Sequence, residues 1–309
     1  MIPVVIVAGP TASGKTALSI ELAKRINGEI ICGDSMQIYK YMDIGSAKPD
    51  EEEQGGVPHH LFGFVDPRDN FSLADYIEAA HKAIAEVHSR GKMPVVVGGT
   101  GLYIDTLINN VTLDKTEPDD EYRSQLKELA ATYGTKYLHD MLRYIDEPEA
   151  EHISENDEKR IIRALEIYKA TGITKTEQNI LSRSQPSPYE ATWFAIDMDR
   201  QVLYDRINRR VDIMLEKGLV KEVQSLLDMG VTAENTAMQG IGYKEIAQYI
   251  SGELTLEEAS ELIRKRTRNY AKRQLTWFRR NPRINYVAYD KIEKMLSFCH
   301  KCMEKRNKV

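Results

Sequence analysis

The chain has 309 residues, 42% hydrophobic and 29% charged, with a formal net charge of −5. That balance excludes wholesale disorder and argues against indiscriminate nucleic-acid binding, while the length allows a catalytic core with a smaller module inserted or appended. Three cysteines are too few for a disulfide framework, and the first apolar run is too short and lacks the basic flank of a secretory signal, so the expected location is the cytoplasm, with no membrane span.

In chain order, residues 3–8 form a continuous apolar run of the kind buried on both faces of a parallel sheet. A glycine loop follows, then a helix from about Lys15 to Ile26 and a second strand over 29–33 that closes on Asp34 and Ser35. Residues 72–91 carry helical periodicity, with Ser72 as the N-cap and Gly91 at the end, and the strand over 93–97 stops at Gly98-Gly99-Thr100-Gly101. Amphipathic helices are predicted at 119–133, 135–144 and 157–171, and strand character returns at 191–197 and 284–289. This order predicts an α/β fold, with a P-loop kinase-like parallel sheet core flanked by helices over residues 1–115 and 190–309. An all-helical insertion domain covers 116–189 and leaves through the Ser-Gln-Pro-Ser-Pro linker at 184–188.

The strongest motif is Gly9-Pro10-Thr11-Ala12-Ser13-Gly14-Lys15-Thr16, which satisfies G-x-x-x-x-G-K-[ST] between a predicted strand and a predicted helix. Loop amides and the helix N-terminus surround a di- or triphosphate, Lys15 adds a point charge, and the Thr16 hydroxyl is placed to ligate Mg²⁺. Most such loops serve ATP or GTP. The strand over 93–97, however, ends in glycines in place of the acid that many nucleotide hydrolases use to hold Mg²⁺. Asp34 falls at the same sheet edge, where its carboxylate is either a base facing the bound diphosphate or the cap of a helix starting near Met36.

Several segments resemble the bacterial tRNA dimethylallyltransferases, the IPP transferase family. They are Asp34-Ser-Met-Gln-Ile-Tyr-Lys40, Met42-Asp-Ile-Gly-Ser-Ala-Lys-Pro49, Pro58-His-His-Leu61, Gly98-Gly-Thr-Gly-Leu-Tyr103, the stretch Asn156 to Glu166, Gln239-Gly-Ile-Gly-Tyr-Lys-Glu245 and Thr267 to Arg279. The resemblance implies that the P-loop holds dimethylallyl diphosphate and that ATP is not the substrate. The acceptor would be N6 of adenosine 37 in tRNAs reading codons that begin with U. Asp34 is then the base and Thr100 lies beside the substrate RNA. Asp34, Ser35, Met36, Gln37, Thr100, Arg123, Lys159, Arg160, Ile161, Ile162 and Arg163 are implied as tRNA-contacting, the partner being the anticodon stem-loop and the working unit a monomer. A free-nucleotide dimethylallyltransferase, a small-molecule P-loop kinase and a noncatalytic RNA-binding protein are the competing readings.

Between Arg264 and Arg283 stand nine basic residues and no acid, interleaved with Tyr270, Trp277 and Phe278, which reads as a phosphate-facing surface with Trp277 packed inward. Arg206 and Arg210 recur at helical spacing and are expected to reach the diphosphate from across the cleft. His59 and His60 follow a proline and are read as loop residues. Cys299 and Cys302, a single Cys-x-x-Cys pair around His300, are read as residues of a terminal helix.

Overall fold

The computed structural model describes residues 1–111, 113, 119–183, 185–288 and 291–306. Contacts divide the chain into two compact units, Met1–Ile108 with Pro188–Val309, and Asn109–Ser187.

The first unit is built on one parallel sheet of β1 (Ile2–Ala8), β2 (Gly28–Cys32), β3 (His59–His60), β4 (Met93–Gly98), β5 (Tyr189–Asp197) and β6 (Ile284–Ala288), in the order β3-β2-β4-β1-β5-β6. β1 is central, and Val4 to Ala8 are all buried, as strands covered on both faces require. Helices α1 (Lys15–Arg25), α2 (Glu51–Gln54), α3 (Leu73–Ser89) and α4 (Gly101–Ile108) lie in the first segment of the unit. α3 starts in a capping box between Ser72 and Asp75. The buried Tyr76 of α3 donates its hydroxyl proton to the Cys32 carbonyl at 2.8 Å, fixing the end of β2 where the chain turns toward Asp34.

Among the described residues the elements of the second unit are all helices: α5 (Asp120–Tyr133), α6 (Thr135–Ile145), α7 (Glu147–His152), α8 (Glu158–Thr171) and α9 (Lys175–Arg183). Its core gathers Leu126, Leu138, Leu142, Ile153, Ile161, Ile162 and Leu165. The chain then returns to the first unit for α10 (Arg200–Glu216), α11 (Leu219–Asp228), α12 (Tyr243–Ile250), α13 (Leu256–Phe278) and α14 (Ile292–Arg306). Among the described residues no helix is long and apolar enough to cross a membrane.

Two expectations are corrected. His59 and His60 form an edge strand paired with Ile30 and Ile31. The His60 ring is held 2.6 Å from the buried Glu29 carboxylate, which also takes Arg90 at 2.6 Å, so these partners draw a proline-led dipeptide into the sheet. No helix begins at Met36; residues 35–38 turn instead. Cys299 lies buried in the sheet-facing core on α14. The structure places Tyr189, the start of β5, at the edge of the expected linker, and residues 112, 114–118, 184 and 289 of the expected boundaries lie outside the described residues.

Candidate active site

Three loops meet at the C-terminal edge of the sheet, after β1, β2 and β4, which is where open α/β sheets bind ligands. The loop after β1 bends through positive φ at Gly9 (146°), Ala12 (62°) and Gly14 (90°), and α1 begins directly at Lys15. The Ser13 hydroxyl is buried in this loop with no hydrogen-bond partner among the described residues. Lys15 donates from Nζ to the Pro10 carbonyl at 2.8 Å. Burial, with Arg210 opposing a second positive charge, lowers the Lys15 pKa to about 8, although Asp34 acts in the other direction.

A cavity of about 820 Å³ opens beside the loop. Lys15 and Thr16 form one wall. The second wall is a single face of α10, where residues spaced three to four apart bring Arg206, Arg210, Ile213 and Lys217 to the cavity together with Arg209. Asp43, Ile44, Ala47, Lys48, Asp50 and Glu53 complete it. A Cβ built on Gly14 would sit 3.6 Å from Arg206 Nη2, so the arginine reaches the loop itself. Burial lowers the Arg210 pKa, and Asp34 counters it. Arg206 and Arg210 thus stand across the cavity from the loop.

Asp34 does not line the cavity, but its charge is felt by both Lys15 and Arg210. Its Oδ1 accepts the Met36 amide at 2.9 Å in an Asx turn, which leaves Oδ2 for other work. Thr100 accepts the Ser35 amide on Oγ1 at 3.1 Å, tying the loop after β4 to the one after β2. Gln37 donates to the Ser46 and Ala47 carbonyls at 3.1 and 2.9 Å.

Sequence reasoning missed what joins these loops, because the joint comes from α13. Gln274 accepts the Thr11 amide at 2.9 Å and donates to the Gly99 carbonyl at 2.9 Å, bridging the loops after β1 and β4. Trp277 donates its indole N–H to Asp105 at 2.5 Å and lies where a Cβ on Gly101 would be, 2.3 Å from its ring, so it packs as expected. Tyr270 bonds to Thr100 and Gln274, and burial, with the nearby Asp34 charge, pushes its pKa up to about 12. The basic stretch on α13 is only partly a free surface. Arg264 pairs with Asp212 (2.5 Å), Arg268 with Glu261 (3.1 Å), and Arg266 with the buried Glu245. Lys265, Lys272, Arg273, Arg279 and Arg280 are exposed.

In the helical unit, Glu166 is a buried anion at 1% side-chain exposure. It accepts the Asp119 amide at 2.9 Å, Arg123 at 2.8 and 3.0 Å, and Arg163 at 2.5 Å. Burial alone would raise the Glu166 pKa, but these donors outweigh it and the pKa lies below the ordinary value. Lys159 and Arg160 are exposed, while the side chains of Ile161 and Ile162 sit in the helical core at 0% and 6% exposure. The two isoleucines follow Lys159 and Arg160 and precede Arg163 on α8, and they take its apolar face.

The strand, glycine loop and helix at the centre of a parallel sheet define a protein of the P-loop class. The IPP transferase pattern matches residues 37–281 and the isopentenyl transferase pattern residues 2–60, and the chain belongs to the IPP transferase family. It is 51% identical over 290 residues to a tRNA dimethylallyltransferase of Acetivibrio thermocellus, covering 94% of this chain and 93% of that protein. Among solved structures it is similar to the full-length tRNA isopentenylpyrophosphate transferase of Bacillus halodurans (TM-score 0.75, 44% identity, 100% of this chain and 99% of that one). It is also similar to a eukaryotic dimethylallyltransferase described as acting on tRNA (TM-score 0.79, 30% identity, 95% of this chain and 75% of that one).

Proposed function

We propose that the protein is a tRNA dimethylallyltransferase. It moves the dimethylallyl group of dimethylallyl diphosphate to N6 of adenosine 37, in tRNAs that read codons beginning with U, and acts as a single chain in the cytoplasm. The observation that carries this reading is the position of Asp34 at the C-terminal edge of the sheet, in the loop after β2 that Thr100 ties to the loop after β4, beside the P-loop that follows β1. A diphosphate leaving group fits the cationic walls, and a base beside it fits an amine acceptor.

As the allylic C–O bond breaks, negative charge collects on the departing diphosphate, where loop amides, Lys15, Arg206 and Arg210 can neutralise it. Adenine N6 is poorly basic, so it must be held against the allyl carbon and lose its proton as it attacks, and Asp34 Oδ2 supplies the acceptor. An adenosine inside an anticodon loop must be extruded to reach such a pocket. Ser35, Met36, Gln37 and Thr100 form its threshold. Arg123, Lys159, Arg160 and Arg163, with the exposed cations of α13, suit the phosphates of the stem-loop. The Ser13 hydroxyl, unpartnered among the described residues, and the Thr16 hydroxyl beside the cavity fit Mg²⁺, which Thr16 would hold. When bound, Mg²⁺ adds charge neutralisation on the leaving group.

The test is transfer of labelled dimethylallyl diphosphate, offered in parallel to unmodified tRNA with A36-A37-A38 and to AMP, ADP and ATP. Label is expected on adenosine 37 only, with Asp34→Asn slowing transfer by about 10²–10⁴-fold while donor binding persists. Label on free nucleotide alone would transfer the assignment to a nucleotide prenyltransferase, and ATP turnover without prenylation would indicate a kinase.

A further inference from the structure

The segment Asp43–Lys48 forms a wall of the donor cavity through Asp43, Ile44, Ala47 and Lys48. Its internal bonds close it on itself, from the Ala47 amide to the Ile44 carbonyl at 3.0 Å and from the Lys48 amide to the Asp43 carbonyl at 3.0 Å. Two side chains tie it to the helices behind, Glu222 of α11 and, bonded to Glu222, Tyr243 of α12. Glu222 Oε2 accepts the amides of Asp43 (2.9 Å) and Ile44 (2.7 Å), and Oε1 accepts the amide of Gly45 (3.0 Å) and the hydroxyl of Tyr243 (2.8 Å). The Tyr243 oxygen in turn accepts the Ser46 amide at 3.0 Å. Four consecutive amides therefore converge on one carboxylate and its phenol partner.

Successive amides around an anion make the same kind of nest that P-loops offer to phosphate. Here the protein's own carboxylate fills the nest, so the device holds backbone in place of binding ligand. Gly45 is required by it, since a Cβ there would lie 2.6 Å from the Tyr243 ring. The held wall continues toward the acceptor side, because Gln37 bonds to its Ser46 and Ala47 carbonyls.

We propose that Glu222, assisted by Tyr243, is the positioning residue that fixes the Asp43–Lys48 wall against the prenyl diphosphate and registers it with Gln37 on the acceptor side. This rests on the reading of the cavity as the donor site. Glu222 touches no substrate; it acts through the backbone it holds.

Glu222→Gln preserves size but turns an amide donor toward N–H donors. In the full-length enzyme, hydrogen exchange at residues 43–46 is expected to quicken about tenfold or more. The donor KM is expected to rise about tenfold, with kcat changing less than about threefold. A merely structural lesion would reduce the folded fraction, and so kcat, without moving KM. An unchanged donor KM, or unchanged exchange at 43–46, overturns the proposal. Should Glu222→Gln fail to fold, Tyr243→Phe retains the ring against Gly45 and removes only the hydroxyl. It is expected to raise the donor KM about two- to fivefold, and no rise would overturn the proposal equally. Wild-type enzyme assayed alongside separates the two readings: absence of donor binding there removes the functional assignment itself, whereas normal donor KM in wild type and both variants removes only the role of Glu222.

Discussion

Lys15 is held in a charged state against its surroundings, and that gives it a measurable signature. Its pKa, lowered to about 8 from 10.5 by burial first and Arg210 second, leaves the ammonium protonated below about pH 8 and increasingly neutral above it. The donor's own last phosphate proton dissociates near pH 6, so the rise in ligand charge is complete before Lys15 titrates. Affinity for dimethylallyl diphosphate is therefore expected to fall as pH passes upward through about 8, and Lys15→Met should bind weakly with no such inflection; calorimetric titration across that range checks both. Stability of the empty protein should move the other way. Between about 8 and 10.5 the unfolded chain keeps a proton that the folded one has released, so stability rises with pH over that window. Lys15, Thr16 and Asp34 were readable because each sits in a contiguous motif. Glu222, Gln274 and Glu166 were not, since each acts on backbone or cations far away in sequence: Gln274 bonds Thr11 and Gly99, and Glu222 bonds residues 43–45. The shared anchor of Arg123 and Arg163 was likewise hidden, because nothing in the sequence marks Glu166, which pairs with both, as buried.

Among the elements, α13 is the one that most changes meaning between sequence and structure. Read as a line of charge, its part from Arg264 onward is an acid-free basic stretch; wound into a helix, it turns Tyr270, Gln274 and Trp277 toward the loops and pairs Arg264, Arg266 and Arg268 with acids on or beyond its own first turns. Periodicity could separate its faces but could not say what lay opposite. Helix ends marked by local chemistry were readable, as with the Ser72–Asp75 box of α3, whereas β3 was not, being two residues whose strand character comes from β2 and Glu29. Since Gln274 bridges the loops after β1 and β4, Gln274→Ala should leave the Thr11 amide and the Gly99 carbonyl without the partner it supplies. The expected result is a stability loss of about 1–3 kcal/mol by denaturant titration. A drop in kcat/KM of about ten- to a hundredfold should accompany it, larger than Gln274→Glu shows, because glutamate retains the acceptor for Thr11.

At the scale of the whole molecule, the chain leaves the sheet after α4, builds a self-contained helical unit with its own apolar core, and comes back at β5. The two ends of that unit are neighbours, with the Asn110 side chain donating to the Pro186 carbonyl at 3.3 Å. Replacing residues 109–187 by a short glycine-serine linker is therefore expected to give a folded sheet unit that binds dimethylallyl diphosphate with affinity within about threefold of the parent. The same protein should lose tRNA binding by about tenfold or more in filter-binding assays, since Arg123, Lys159, Arg160 and Arg163 go with the unit. The strand order has a further consequence for how such a chain is made. β1 is synthesised first, yet its flank stays open until β5 arrives to pair Ile2 with Tyr189 and Ala8 with Ala195. The most apolar strand of the enzyme must thus wait on the ribosome, half-covered, while the entire helical unit emerges, and that delay sets both a slow closing step in folding and the interval in which a chaperone has most to protect.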